Sequence, residues 1–553
     1  MIINVDKTNL NSLLGVPNRQ LTIPAYQRPY AWEFEQVDEL WHDIVETLGG
    51  NHFMGSVVMC SPDKARPEVI DGQQRLTTII LLLALIRDKY QTLKPELVGR
   101  VQQFFENAYA PADLRFKFRP GNANARVFTD FILCAPDNAS RVDWSTVHQL
   151  DAHELNRNKR MIENTERLSG YLEQYLAAGE NPLQSLEKLE ANIMTGLEFV
   201  VVDVPDIANA FIIFETLNDR GLALSAGDLL KNHLLAAAAK TKESVEALAL
   251  DWDNIIDNLE GGDITRFLRH YLLTQYAQVQ KDDAFALFKK EVGTRGVKQL
   301  IKDLKQMSRF YGQFIKPELV EDPAVREVYQ NLSTLRATMC YSALLAASPV
   351  LNNEALRDFA RLCEFLTFRY STICSKDSKE LERFYHNAAK ILASKGERGL
   401  EDACRALESA SPSRDEFVLA FRNQSMGRQY IVNYIFRSIE NQLSPEEKTL
   451  LNTQGVHIEH IMPQTLSPEW KAVLGEDVGL HESYVNRWGN LTLLGGKLNS
   501  SASNRSFGDK KSNYEQSKIA LAVELVGYQS WGLEQIDERQ KKLAVIADDL
   551  WSI

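Results

Sequence analysis

Four residues near the C-terminal end have the types and spacing to hydrolyse a phosphodiester: Glu459, His460, Asn490 and Asn499. They lie in two strings, HIEHIMPQTLSPEW (457–470) and WGNLTLLGGKLNSSASNRSFGDKK (488–511). Phosphodiester hydrolysis needs an activated water and a cation that stabilises charge on phosphorus and on the leaving oxygen. An imidazole near its natural pKa can take the water's proton at neutral pH, which suits His460. A carboxylate and an amide oxygen make a weak, open oxygen site for Mg²⁺ or Mn²⁺, which suits Glu459 and Asn499. Asn490 would hold the loop so that the His460 ring points correctly. Blander readings compete. The HxxH of His457 and His460 could join His481 in a zinc site, or His460 could be a buried structural histidine.

A second group of residues lies near the N-terminus, in IPAYQRPYAWE (23–33) and VIDGQQRLTT (69–78). Gly72 permits a tight turn after a strand. The amides of a segment entering a helix favour an anion, and Arg75 adds a positive fork suited to phosphate. Asp71 could hold a metal or a hydroxyl, and Arg28 could reach the same pocket. The residues describe a phosphate or nucleotide site without a Walker motif, since no GxxxxGK(S/T) occurs. A turn beside a surface arginine is the plainer alternative.

The elements that must position these groups follow from periodicity. Val37, Leu40, Trp41, Ile44, Val45 and Leu48 predict a helix ending at Gly49-Gly50. GSVVMC and PEVI read as short strands, DGQQR as a loop, and about Thr77 to Tyr90 as an apolar helix. LEFVVVDV (197–204) is a strand leading to a helix, a turn at Asp219-Arg220-Gly221 and a second helix capped by Ser225 or Asp228. Residues 240 to about 440 read as almost entirely helical, with Phe267, Tyr271, Tyr311 and Phe314 packing a core. LSPEEKTLLNTQG (443–455) reads as a linker, and beyond it a strand, a loop, a second strand and a helix would gather the nuclease residues.

Bulk properties bound the function. A chain of 553 residues suggests about three to four domains. A net charge of −12 excludes a protein devoted to coating nucleic acid, and confines any DNA contact to particular faces. Residues 486–518 carry such a local excess: Arg487, Lys497, Arg505, Lys510, Lys511 and Lys518 against Asp509 and Glu515. Six cysteines without a CxxC pair argue against a zinc ribbon or a disulfide framework, and for a reducing, cytoplasmic setting. No secretory leader opens the chain, and the apolar run in TTIILLLALIRDKY is too short to span a membrane.

The EHIMPQ…GNLTLL…LN pattern resembles the HNH (ββα-metal) nucleases, over about 457–515. By that resemblance Glu459 and Asn499 are metal ligands, His460 the general base and Asn490 the central asparagine; Glu459 replaces the more common aspartate. The N-terminal strings resemble the ParB/sulfiredoxin-like NTPase domain that carries DGQQR. FETLNDRGLALSAGDLLKNHL looks like that family's second block, with Asn218, Arg220, Gly221 and Asp228 on its motif positions. The nucleotide would be held by Arg28, Asp71, Gly72, Gln73, Gln74, Arg75, Thr77, Asn218 and Arg220, with Asp71 and Arg75 acting in hydrolysis. The two resemblances together are those of the GmrSD-type, type IV modification-dependent restriction enzymes.

The implied chain is multidomain and mainly α with α+β parts. It would comprise a ParB/sulfiredoxin-like domain at 1–235, a helical middle at 236–442 and an HNH domain at 443–553. The implied activity is cleavage of modified phage DNA, chiefly glucosylated hydroxymethylcytosine, linked to GTP, ATP or another NTP. A nucleotide-regulated sensor with an inactive nuclease, or a toxin-type nuclease cutting RNA or unmodified DNA, are the alternatives. Paired cuts on duplex DNA would favour a homodimer.

Overall fold

The computed structural model describes residues 4–553 apart from short stretches at 25–26, 28, 108–109, 122–123, 208, 211–212, 214–225, 242–243, 277–278, 280–282, 426–427 and 445–454. The protein is mainly helical, with one mixed six-stranded sheet and a separate antiparallel pair. Its contacts divide into two compact units, Met1–Asn254 with Phe288–Ile301, and Ile255–Leu287 with Lys302–Ile553.

The first unit is built on strands β1 (Asn4–Asn9), β2 (Leu21–Thr22), β3 (His52–Cys60), β4 (Glu68–Asp71), β5 (Phe118–Arg119) and β6 (Leu197–Val204), in the order β1-β6-β3-β4-β2-β5. β3 and β4 are antiparallel, with a register shift that leaves one extra residue on β4 just before the Asp71-Gly72 turn. The apolar helix after that turn spans Gln73–Leu93, longer than the pattern predicts. It starts earlier because Gly72 already caps it in the left-handed conformation, so Gln73, Gln74 and Arg75 form its first turn rather than a loop. TIILLLALI carries apolar side chains on every side, and nearly all of it is buried. It shares one buried core with Val57 and Phe118 of the sheet, Phe128 of the Phe128–Leu133 turn, and Leu168 and Leu172 of the Ala152–Ala178 helix. The helix predicted from Val37 runs Phe34–Glu46, with the Gln36 side chain accepting from the Glu33 amide at 2.8 Å. The turn at Asp219-Arg220-Gly221 and Ser225 lie outside the described residues; Asp228 falls in the first turn of the Ala226–Thr241 helix.

The second unit is helical from Ile264–Leu273 through Gln429–Leu443. Phe267, Tyr271, Tyr311 and Phe314 are all buried in its core, with Phe267 edge-on to Tyr311 and Phe314 tilted against it. The strands β7 (Val456–His460) and β8 (Leu491–Gly495) pair antiparallel. An isolated two-stranded pair is marginal in water, and here the surroundings hold it. The Leu533–Leu550 helix supplies Arg539, buried, which donates to the carbonyls of Gly489 and Leu491 at 3.0 and 2.5 Å. Gln540 from the same helix accepts from the Gly489 amide at 2.7 Å. Asp548 further along meets Arg369 at 3.0 Å and Arg414 at 2.9 Å, fixing that helix to the helical part of the unit.

Candidate active site

β7 ends at His460, directly opposite Leu491, and Glu459 is paired with Thr492. Neighbours on an uninterrupted strand point to opposite faces. Because the strand stops here, Glu459 and His460 both line one cavity of about 330 Å³, with Gln464, Thr465, Asn499 and Asn504.

Asn490 has no exposed surface and uses both ends of its amide. Its Oδ1 accepts from the Met462 amide at 2.8 Å and the Trp531 indole at 3.1 Å. Its Nδ2 donates to the carbonyls of Met462 at 2.8 Å and Val485 at 2.9 Å. Its own carbonyl accepts from the Ile461 amide at 2.9 Å. The chain immediately after His460 is therefore clamped in place by one side chain. The imidazole itself is oriented by a different asparagine: His460 Nε2 lies 3.1 Å from Asn486 Oδ1. An amide oxygen only accepts, so Nε2 carries the hydrogen and Nδ1 is left as the basic nitrogen. Burial lowers the His460 pKa, the Asn486 bond opposes that, and the nearby Lys510 charge adds to it. The ring is thus neutral and ready to take a proton at neutral pH.

Glu459 is buried, and burial pushes its carboxyl above the usual range against the pull of Lys510. The Lys510 ammonium donates to Glu459 Oε1 at 2.7 Å and to the carbonyls of His460 and Ile461 at 2.8 and 3.1 Å. Tyr514, one helical turn on, has its hydroxyl 3.5 Å from the same Oε1. Asn499, in the short Gly496–Ala502 helix, has a buried Oδ1 with no hydrogen-bond partner. An orphaned amide oxygen beside a carboxylate is a donor set that fits a hard divalent cation. Among the described residues no three His, Cys, Asp or Glu side chains cluster as a metal site. Such an ion would therefore rest on Glu459 and Asn499, with water and phosphate oxygens completing its shell. The zinc alternative finds no support in His481, whose Nε2–H donates to the Pro463 carbonyl at 2.9 Å.

At the N-terminal end, Gly72 has φ +86°, and a Cβ there would meet Val57 Cγ2 at 3.1 Å and the Ser56 carbonyl oxygen at 3.2 Å. Glycine is required both for the turn and for this close approach. Gln73 and Gln74 are turned toward the chain rather than outward. Gln73 Nε2 donates to Gln27 Oε1 at 3.1 Å. Gln74 accepts from the Ala31 amide at 2.8 Å and donates to the Pro29 carbonyl at 3.2 Å. They pin Gln27, Pro29 and Ala31 onto the start of the helix. The space they enclose with Thr77, Tyr30 and Asn124 is about 20 Å³, room for about one water and not for a nucleotide. Arg75 lies across β3, with a guanidinium nitrogen 3.3 Å from the Ser56 carbonyl and its fork against Gly55, which has φ +93°. Burial lowers the Arg75 pKa and Asp71 raises it. An anion would have to approach from outside, onto the first-turn amides and the Asp71–Arg75 edge. Arg28, Asn218 and Arg220 lie outside the described residues.

Models of the GmrSD restriction endonucleases match this chain at both ends, the N-terminal domain at residues 10–235 and the C-terminal domain at 411–546. The chain belongs to the GmrSD restriction endonucleases. Membership implies a nuclease whose partner is DNA. No curated protein matches the chain. Among the described residues no helix is long and apolar enough to cross a membrane.

Within this GmrSD chain the sequence pattern overlooks Asn486, Lys510, Tyr514 and Trp531. A signal for two of them exists: Phe507, Lys510 and Tyr514 are spaced three and four apart, so the lysine sits on the buried stripe of the Phe507–Glu515 helix. The same observation reduces the basic patch. Lys510 is buried against Glu459, and Arg487 is held by Asp537 at 2.5 Å and the Arg422 carbonyl at 2.9 Å. Lys497, Arg505 and Lys518 remain exposed and Lys511 partly so, which leaves four cations for phosphate.

Proposed function

We propose that this protein is a modification-dependent DNA endonuclease of phage defence, cutting phosphodiesters at an HNH-type site and regulated by an NTP at the DGQQR segment. The observation that carries the proposal is one cavity lined by Glu459, His460 and the amide of Asn499, whose buried oxygen has no partner. A divalent cation, when bound, would neutralise charge at phosphorus and the leaving oxygen. The rest is done by the chain. His460, neutral and held through Nε2, takes the proton of the attacking water at Nδ1. Asn490 fixes the backbone from which that ring projects. Lys497, Arg505, Lys511 and Lys518 meet backbone phosphates near the cut. At the other end, Arg75 and the first-turn amides of the Gln73–Leu93 helix take nucleotide phosphates. Occupancy there shifts the balance between restrained and competent nuclease states.

The test is cleavage of glucosylated-hydroxymethylcytosine phage DNA and matched unmodified DNA by purified protein, with Mg²⁺ or Mn²⁺, with and without NTPs. NTP-dependent cleavage confined to the modified DNA is the expected result. Equal cleavage of both keeps the nuclease and removes the modification specificity. Cleavage by His460→Ala at the wild-type rate overturns the assignment of the site.

A further inference from the structure

Lys510 stands against the site but takes no part in the hydrolysis as proposed. Its ammonium is fully buried, on the inner side of the Phe507–Glu515 helix, and it makes three contacts: Glu459 Oε1, the His460 carbonyl and the Ile461 carbonyl. The Tyr514 hydroxyl approaches that same carboxylate oxygen. Both contacts to the carboxylate therefore fall on Oε1, which leaves Oε2 as the oxygen able to face the cavity. The Lys510 ammonium also stands within a hydrogen bond of the ligand that would carry most of the attraction for a divalent cation. Like charges at such separations repel strongly when water is excluded.

We infer that Lys510 sets the metal affinity of this site, resting on the reading that Glu459 and Asn499 are its metal ligands. The lysine holds Glu459 to one available oxygen and opposes the entry of a second cation. The free protein consequently binds divalent metal weakly, and the site fills only when the phosphate oxygens of DNA supply negative charge and the missing ligands. A nuclease built this way is quiet until substrate arrives, without needing a lid.

The experiment is an Mn²⁺ titration of the DNA-free protein at pH 8, followed by the EPR signal of the free ion, on wild type, Lys510→Met, Lys510→Gln, Glu459→Gln and the Glu459→Gln/Lys510→Met double variant. Removing one repelling charge at this range should tighten Mn²⁺ binding by about tenfold or more in Lys510→Met. The gain should vanish in the double variant. Damage to the fold weakens a metal site and does not strengthen it, so a gain of affinity cannot come from misfolding. Lys510→Gln, which keeps a donor for the two carbonyls without the charge, should show the same gain if Lys510→Met does not fold. Unchanged or weaker binding in the folded lysine variants, with binding lost in Glu459→Gln, overturns the role of Lys510 and leaves the metal site standing. Wild-type binding in Glu459→Gln overturns both.

Discussion

Asn490 is the residue whose removal most sharply separates a clamp from a bystander. Asn490→Ala deletes four hydrogen bonds at once and orphans the Met462 amide, the Trp531 indole and the carbonyls of Met462 and Val485. All three partner residues are buried. Each unsatisfied buried group costs about 1–3 kcal/mol. The vacated space can take roughly one water, which satisfies two or three of them. The net destabilisation expected is about 3–5 kcal/mol, in the upper range for a single substitution. The functional loss is separate. This side chain holds both the amide and the carbonyl of Met462, two residues after His460, and a displacement of about 1 Å can reduce a rate by about 100-fold. Asn490→Asp makes the sharper control. It can still accept from Met462 and Trp531, but it turns a carboxylate oxygen onto two carbonyl oxygens. It should be no more stable than the alanine variant at pH 8. Thermal melts followed by circular dichroism, with nicking at 20 °C on the folded fraction, measure both effects. A normal melting temperature for Asn490→Ala refutes the hydrogen-bond argument. A lower one with a wild-type rate per folded molecule refutes the positioning argument alone.

Three further outcomes are expected. Asn486→Ala should lower the nicking rate about tenfold or more with little change in stability, because the His460 tautomer is no longer fixed; Asn486→Asp, which still accepts from Nε2–H, should restore most of it, and equal rates in both variants would remove Asn486 from the site. Glu364 accepts from Asn331 at 3.0 Å and Tyr434 at 2.7 Å, yet burial pushes it up to about 7. The folded state thus keeps a proton that the unfolded chain has released, and stability falls as pH rises from about 4.5 to about 7, by about 3 kcal/mol. Glu364→Gln should flatten that slope in chemical denaturation curves, and an unchanged slope would reassign the titration. Gly72→Ala should destabilise the first unit by about 1–3 kcal/mol through its positive φ and the contact with Ser56 and Val57; a variant as stable as wild type in urea would show that the turn can relax.

Elements whose pattern repeats were legible, and groups that act through a single distant contact were not. The helix after Gly72 announces itself by a long apolar run, because burial on all sides leaves few polar positions, and the strand Leu197–Val204 by its β-branched run between Glu198 and Asp203. The first turn of the Gln73–Leu93 helix reads as a loop in the sequence, because glutamine on a helix surface and glutamine tying down a remote segment look the same there. Only the bonds to Gln27, Pro29 and Ala31 distinguish them. At the other end, Glu459, His460 and Asn499, which line one cavity, stand out in the sequence because they fall in two short strings. Lys510 was counted as a surface cation, since a lysine beside another lysine usually is one. Its position between Phe507 and Tyr514 carried the opposite message.

The two ends of the chain differ in how their polar groups are used, and this bears on which end can be switched. Asn490 itself has both ends of its amide matched within the fold, so the loop it holds after His460 has little freedom to change state. Around Gly72 the matched glutamines face inward, onto Gln27, Pro29 and Ala31, while Arg75 lies across β3 at the helix start, where a ligand would meet it. A ligand can shift an equilibrium only by binding one state better than the other. Phosphate pulling Arg75 away from the Ser56 carbonyl and Gly55 would alter the packing of β3 beneath it, whereas no comparable rearrangement is open to the Asn490 clamp. A nucleotide-driven change should therefore begin in the sheet of the first unit. It should appear as altered amide exchange in His52–Cys60 and Glu68–Asp71 on NTP addition, with the residues bonded to Asn490 unchanged.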